Sequence, residues 1–135
     1  MARAEIVKEF LISTENKAGM LAEIVDTFRD NNINIKDIAA YGKNNEAKFM
    51  VIADREKEEL VLKALKGKGY VATEKEVVLL KIINEVGALS EAADKIKSSG
   101  VDLEYIYGTT CDCSCDCQLV ISSNDNKKVV EILSK

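Results

Sequence analysis

The chain has 135 residues, 47% of them hydrophobic and 31% charged, with no Trp, Pro or His. Its formal charge of −4, with lysines dispersed along the chain, excludes a nucleic-acid backbone as partner, because that attraction needs clustered Lys and Arg. No apolar run is long enough to span a membrane, and Met1-Ala2-Arg3-Ala4-Glu5 lacks a signal-peptide core, so the expected compartment is the cytoplasm, where thiols stay reduced.

Residues 6–13 predict a strand. The chain breaks at Asn16-Lys17-Ala18-Gly19, after which Leu21, Ile24, Val25 and Phe28 follow at the spacing of one helix face. A strand from Ile33 to Tyr41, a turn at Gly42-Lys43-Asn44-Asn45 and a strand from Phe49 to Ala53 read as a hairpin. Asp54 is placed to cap a helix from Arg55 to Lys66 that buries Val61, Ala64 and Leu65 and stops at Gly67-Lys68-Gly69. Tyr70-Val71-Ala72-Thr73 supplies a fourth strand. The order βαββαβ predicts an α+β unit of the ferredoxin-like kind, an antiparallel sheet with helices on one face.

The same plan recurs 68 positions later, with an overlay that needs no gap: Leu11, Asn16, Gly19, Leu21, Glu23, Asp26, Ile38, Val61 and Leu65 meet Leu79, Asn84, Gly87, Leu89, Glu91, Asp94, Ile106, Val129 and Leu133. The repeat predicts two tandem units, 1–72 and 73–135. The second starts at the strand Val77-Val78-Leu79-Leu80 and continues through a helix from Ala88 to Ser98 (stripe Leu89, Ala92, Ala93, Ile96), a hairpin across Leu103 to Ser122 and a helix from Asp125. It lacks a counterpart of strand 70–73. That missing strand, and the apolar run Phe49-Met50-Val51-Ile52 on both faces of its strand, predict a homodimer that covers the open edge and face.

Gly19 and Gly87 stand where a strand becomes a helix. There the first-turn N–H groups and the helix dipole favour a carboxylate, and a glycine admits it to the backbone. Asn16 and Asn84, just before, suit either a helix cap or a ligand contact, with the cap the commoner role.

The pattern Asn-x-x-Gly-x-Leu at Asn16 to Leu21 and again at Asn84 to Leu89, followed by Asn32-Ile33-Asn34-Ile35 opening the second strand, resembles the ACT domain, twice over nearly the whole chain. Val101-Asp102-Leu103-Glu104-Tyr105-Ile106-Tyr107 resembles the corresponding strand of small stand-alone tandem ACT proteins. The resemblance implies a regulatory module that senses a free amino acid at an ACT–ACT interface, the glycine loop of one unit facing the second strand of its neighbour. The implied ligand-binding residues are Asn16, Ala18, Gly19, Met20 and Leu21 with Asn84, Val86, Gly87, Ala88 and Leu89, opposite Asp37, Ile38 and Ala39 with Tyr105, Ile106 and Tyr107. Many ACT loops carry Pro before the Gly, where this chain has Ala18 and Val86. In such a site the carboxylate meets helix amides, and Asp37 or Glu104 is available to the ammonium. Tyr105 and Tyr107 share a strand face by the period of two, suited to walling a pocket or to packing.

Cys111, Cys113, Cys115 and Cys117 alternate through the second hairpin. Four thiolates can hold zinc or another thiophilic ion, although structural zinc sites usually space their pairs by two to four residues. The alternative for Cys117, which overlays Phe49, is a buried hydrophobe. A metal or redox sensor built on this hairpin is the rival to an amino-acid sensor. No enzyme is predicted: there is no histidine for a general base, no phosphate loop, and the cysteines lack a partner base. The amino-acid sensor requires no cofactor, and the rival reading calls for a thiophilic metal such as zinc at the cysteines. An amino-acid sensor with no catalytic domain of its own would act through a regulated enzyme or another regulator.

Overall fold

The computed structural model describes residues 2–109 and 116–134. These form an α+β fold with the order β1 (Arg3–Glu15), α1 (Met20–Asp30), β2 (Ile35–Lys43), β3 (Glu46–Ala53), a 3-10 turn (Arg55–Lys57), α2 (Glu58–Gly67), β4 (Val71–Ile82), α3 (Ala88–Ser99), β5 (Leu103–Thr109), β6 (Cys117–Ser123) and α4 (Asn126–Leu133). The six strands run in the order β2-β3-β1-β4-β6-β5. No helix among the described residues is long and apolar enough to cross a membrane.

Two compact units emerge, but not as the contiguous halves 1–72 and 73–135 that the repeat predicts. The first unit is Lys8–Lys75, and the second combines Met1–Val7 with Glu76–Lys135. The reason lies in the two long strands. The expected strands at 70–73 and 77–80 are one continuous β4, and β1 begins at Arg3 rather than residue 6. Each long strand is divided between the units, so the Val71–Lys75 part of β4 is the fourth strand of the first unit, while Arg3–Val7 of β1 is the fourth strand of the second. The second unit therefore does not lack its last strand. A strand from the opposite end of the sequence occupies the place, and the shift of 68 lays Ala2 over Tyr70 and Ala4 over Ala72.

Each unit has its own core, with both helices on one face. In the first, Phe10, Ile12, Phe49 and Val51 of the sheet meet Met20, Ile24, Phe28, Val61 and Leu65 of the helices. In the second, Val78, Leu80, Ile82 and Ile121 meet Ala92, Ile96, Val129 and Leu133. The buried stripe of α1 is Met20, Ile24, Thr27 and Phe28, so the expected stripe is rotated: Leu21 points outward and Val25 is half-buried. Leu89 and Ala93 of α3 are likewise exposed. On the helix-free face Ile52 is buried too. With the last strand supplied, the open edge given as one ground for a homodimer is closed, while Met50 on the same face is half-buried.

The register also breaks the gapless overlay. Thr14 pairs with Ala47 and Ile82 with Cys117, so Cys117 takes the place of Ala47, and Leu119 that of Phe49. Tyr41 pairs with Lys48, but Thr109 pairs with Gln118, which makes the second hairpin two residues longer. The first unit recovers the register through the 3-10 turn ahead of α2, and Val61 and Val129 are again 68 apart.

Both hairpins begin with the same clasp. Asp54 N–H donates to Asn34 O at 3.1 Å, and Asn124 N–H to Asp102 O at 3.1 Å. The side chains return the bond: Asn34 N–H reaches Asp54 Oδ2 at 3.3 Å, and Asp102 N–H reaches Asn124 Oδ1 at 3.2 Å. Asp54 is thus spent on the clasp instead of the cap predicted for it, and makes no side-chain cap bond. Asp125 does cap α4, accepting from Lys128 N–H at 3.2 Å.

Candidate functional site

The two strand-to-helix loops are built alike. Gly19 is the N-cap of α1 with φ 89° and ψ −9°, and Gly87 is the N-cap of α3 with φ 92° and ψ −15°. This left-handed conformation is one that side chains with a Cβ disfavour, which is why glycine recurs. A Cβ built on either glycine would meet nothing within 4 Å, so the space in front of each loop is open. The first full helical bonds run from Glu23 N–H to Gly19 O and from Glu91 N–H to Gly87 O, both 3.0 Å. The amides of Leu21 and Ala22, and of Leu89 and Ser90, therefore have no carbonyl inside their helix.

Neither asparagine is the helix cap, since neither helix has a side-chain cap bond. Asn16 instead ties the loop to the hairpin of its own unit: its backbone N–H donates to Asn45 O at 2.9 Å and its side-chain amide to Asn44 O at 3.2 Å. Gly42 permits this, because a Cβ there would lie 2.6 Å from Asn16 Nδ2. Gly42 was not among the residues singled out from the sequence, although the Gly-Lys-Asn-Asn turn was a signal that the hairpin end carries small and polar groups. Asn84 plays the matching part in the second unit, where its Oδ1 accepts from Cys117 Sγ at 3.5 Å.

Asn16, Ala18, Gly19, Asn84, Val86 and Gly87 are exposed as a binding loop requires. Met20 is not; at 6% exposure it belongs to the first core. Ala88 is half-buried against the second core. Leu21 and Leu89 stand out at 57% and 49% exposure, and Ile38 and Ile106 at 40% and 43%. Equivalent apolar residues thus face outward in both units.

The strand residues divide between faces, as the period of two demands. Ile38 pairs with Val51 and Ile106 with Ile121, which puts both isoleucines on the helix side. Asp37 and Ala39 pair with Ile52 and Met50, and Tyr105 and Tyr107 with Ser122 and Val120, on the helix-free side. The tyrosine rings stack on each other with centroids 6.2 Å apart and planes 19° off parallel. Glu104, at the bulge between Leu103 and Tyr105, accepts the hydroxyl of fully buried Ser122. In the first unit the asparagine of the loop bonds the far end of the hairpin, at Asn44 and Asn45 beyond Asp37–Ala39.

Cys117 is a half-buried free thiol. Cys111, Cys113 and Cys115, the other ligands of the predicted metal site, lie outside the described residues. No group of three or more potential metal-ligating side chains occurs among the described residues.

The described residues thus form an α+β sheet flanked on one side by helices, with glycine-capped helices opening both repeats. Residues 8–69 match the family model of the ACT domain, and this segment of the chain is an ACT domain. Among solved structures, protein BT0572 from Bacteroides thetaiotaomicron is similar with a TM-score of 0.87 and 25% identity, over 97% of this chain and 88% of that one. The ligand-free regulatory subunit of aspartate kinase from Thermus thermophilus shares the fold with a TM-score of 0.73 at 12% identity, over 98% and 94% of the two chains. A putative C-terminal regulatory domain of aspartate kinase from Porphyromonas gingivalis does so with a TM-score of 0.56 at 13% identity, over 99% and 95%. No curated protein matches the chain.

Proposed function

We propose that the chain is a pair of ACT units, the second closed by the N-terminal strand, and that it is a non-catalytic regulatory protein that binds a free amino acid at one or both glycine loops. The observation that carries this reading is the repetition of one loop geometry in both units: a left-handed glycine, open space before it, and helix amides without helix partners. An α-carboxylate is the group such a terminus favours. The α-ammonium is met by carbonyls or by Asp37 of a second strand contributed by another copy of the chain. The outermost strands β2 and β5, with Ile38, Ile106, Leu21 and Leu89 all exposed, supply the edge and apolar surface for a homodimer. The bound state is transmitted to a partner enzyme or regulator in the cytoplasm.

A screen of the common L-amino acids by thermal shift and calorimetry tests this, because a ligand of the native state raises its melting temperature. One amino acid should bind, with Gly19→Val or Gly87→Val removing its own site. If none gives a shift or heat at millimolar concentration, the reading is wrong. A second reading is favoured by the contact between Asn84 and Cys117, which joins the second loop to the cysteine segment: Cys111, Cys113, Cys115 and Cys117 hold a thiophilic ion such as zinc. Elemental analysis after anaerobic loading decides it. Less than one metal per several chains, with all four thiols titratable, would end it.

A further inference from the structure

The two units differ most where their cores should be most alike. In the second unit a cavity of about 310 Å³ is lined chiefly by Ala2, Ile82, Ala88, Ala92 and Leu133, with Glu91 and Lys95 at its polar side. The shift of 68 gives each of these a counterpart. Leu133 answers to Leu65, and Ile82 to Thr14, but Ala88 stands for Met20, Ala92 for Ile24 and Ala2 for Tyr70. Three large side chains of the first unit are thus three alanines around one space. The space is a half-open cleft with an apolar floor, and in the first unit the corresponding positions are filled by large side chains.

The first unit shows what the space accepts. Tyr70 packs against the core that contains Met20, Ile24 and Leu65, its N–H bonded to Leu65 O at 3.1 Å. Its hydroxyl donates to Glu23 Oε1 at 3.4 Å. Glu91 occupies the position of Glu23, and Lys95 that of Thr27; the two lie on one face of α3, with Lys95 Nζ 3.9 Å from Glu91 Oε1. We propose that this cavity of the second unit is a binding site for a small molecule carrying a 4-hydroxyphenyl group, whose ring fills the space left by the three alanines and whose hydroxyl is held by Glu91 and Lys95. The protein's own Tyr70 is the template for the ligand. The carboxylate accepts the phenolic proton, as Glu23 does, and the ammonium donates to the phenolic oxygen. A phenol is preferred over the plain ring because its hydroxyl reaches this charged pair at the mouth of the cavity, where Glu91 is exposed and Lys95 partly so.

The probe is p-cresol, with toluene as control. Since p-cresol has no amino-acid head group, this site stands or falls apart from the glycine loops. Titration into the intact chain, followed by the methyl signals of Ala2, Ala88 and Ala92 and by calorimetry, should give saturable one-to-one binding about twofold to tenfold tighter than toluene. Glu91→Gln should shrink that preference while the ring still binds. Ala88→Met with Ala92→Ile restores the first unit's side chains and should abolish binding without lowering the melting temperature. Ala2→Tyr, which supplies the ring from the chain itself, should do the same. The proposal is overturned if p-cresol leaves the three alanine methyls unmoved, if toluene binds as tightly, or if the cavity-filling variants bind p-cresol like the parent.

Discussion

The first and second units share one plan and spend it differently. The first fills its core with Phe10, Met20, Ile24, Phe28 and Phe49, a set rich in large side chains, whereas the second relies on aliphatic strands facing Ala92 and Ile96. The hairpins diverge as well, tight in the first unit and two residues longer in the second, where the cysteines lie. What both keep is the left-handed glycine at the helix start. In this duplicated protein the positive φ at the helix start holds glycine in both copies, whereas the core positions have changed in size from one copy to the other.

The largest test of that contrast makes one core resemble the other. Ile24→Ala in the fully buried first core should lower stability by about 2–5 kcal/mol in urea unfolding. The reverse change, Ala92→Ile, enters a space already present in the second unit and should raise stability by roughly 0.5–2 kcal/mol. Equal and opposite effects would mean the cores are interchangeable, contrary to the cavity.

The loops should behave as a matched pair. Gly19→Ala and Gly87→Ala force a Cβ into the same positive φ without a clash, so each should cost about 1–3 kcal/mol, and the two should agree closely. A marked asymmetry, measured by chemical denaturation of the two variants side by side, would show that the loops are alike only in outline.

Next below these stands Gly42→Ala, which pushes Asn16 off the hairpin. The cost is that of an exposed hydrogen bond, about 0.5–1 kcal/mol. Hydrogen exchange at Asn16, whose amide donates to Asn45 O, should speed up in this variant while the Asn84 loop is unaffected.

Much of this architecture is legible in the sequence because its signals are local: glycine stops, helix stripes and the repeat itself. The origin of the second unit's last strand is not, since Ala2-Arg3-Ala4-Glu5 alternates too weakly in hydrophobicity to announce a strand, and its partner lies some seventy residues away. Glu74-Lys75-Glu76 reads as a connector, yet it continues β4, because a central strand exposes polar residues wherever its neighbours leave room. The helix phase was missed by one position at Met20, as a stripe that includes Leu21 scores equally well by period alone. For the candidate site, the loop was visible, but the task of Asn16 was not. An asparagine ahead of a helix is a cap by propensity; here the left-handed glycine holds the N-cap position and frees it for the hairpin. The register slip around Cys117 was hidden because identical residues 68 apart resume after it in α4.

The smallest expected difference between the units is in their response to alkali. Lys8 is raised above its usual 10.5 by its hydrogen bond to Glu74, then by the charge of Glu74, with Glu58 and Glu59 adding to it against the cost of burial; Nζ and Oε2 are 3.0 Å apart. Tyr70 is raised above 10.0 by burial first and by the Glu23 carboxylate second, with the Thr27 hydroxyl opposing. Both groups keep their protons more tightly in the folded state, so their contribution is fully present below the unfolded values and is lost as pH rises through the folded ones. The second unit has Glu76 and Ala2 at these positions and so lacks this pair of groups. Urea midpoints at pH 8 and pH 11 (both chosen to bracket about pH 10) should fall further for the parent than for a Lys8→Met, Tyr70→Phe variant. The difference should be small, since the Lys8–Glu74 pair lies at the surface and is screened by solvent and salt. An identical fall in both proteins would mean that neither group links the first unit's stability to pH.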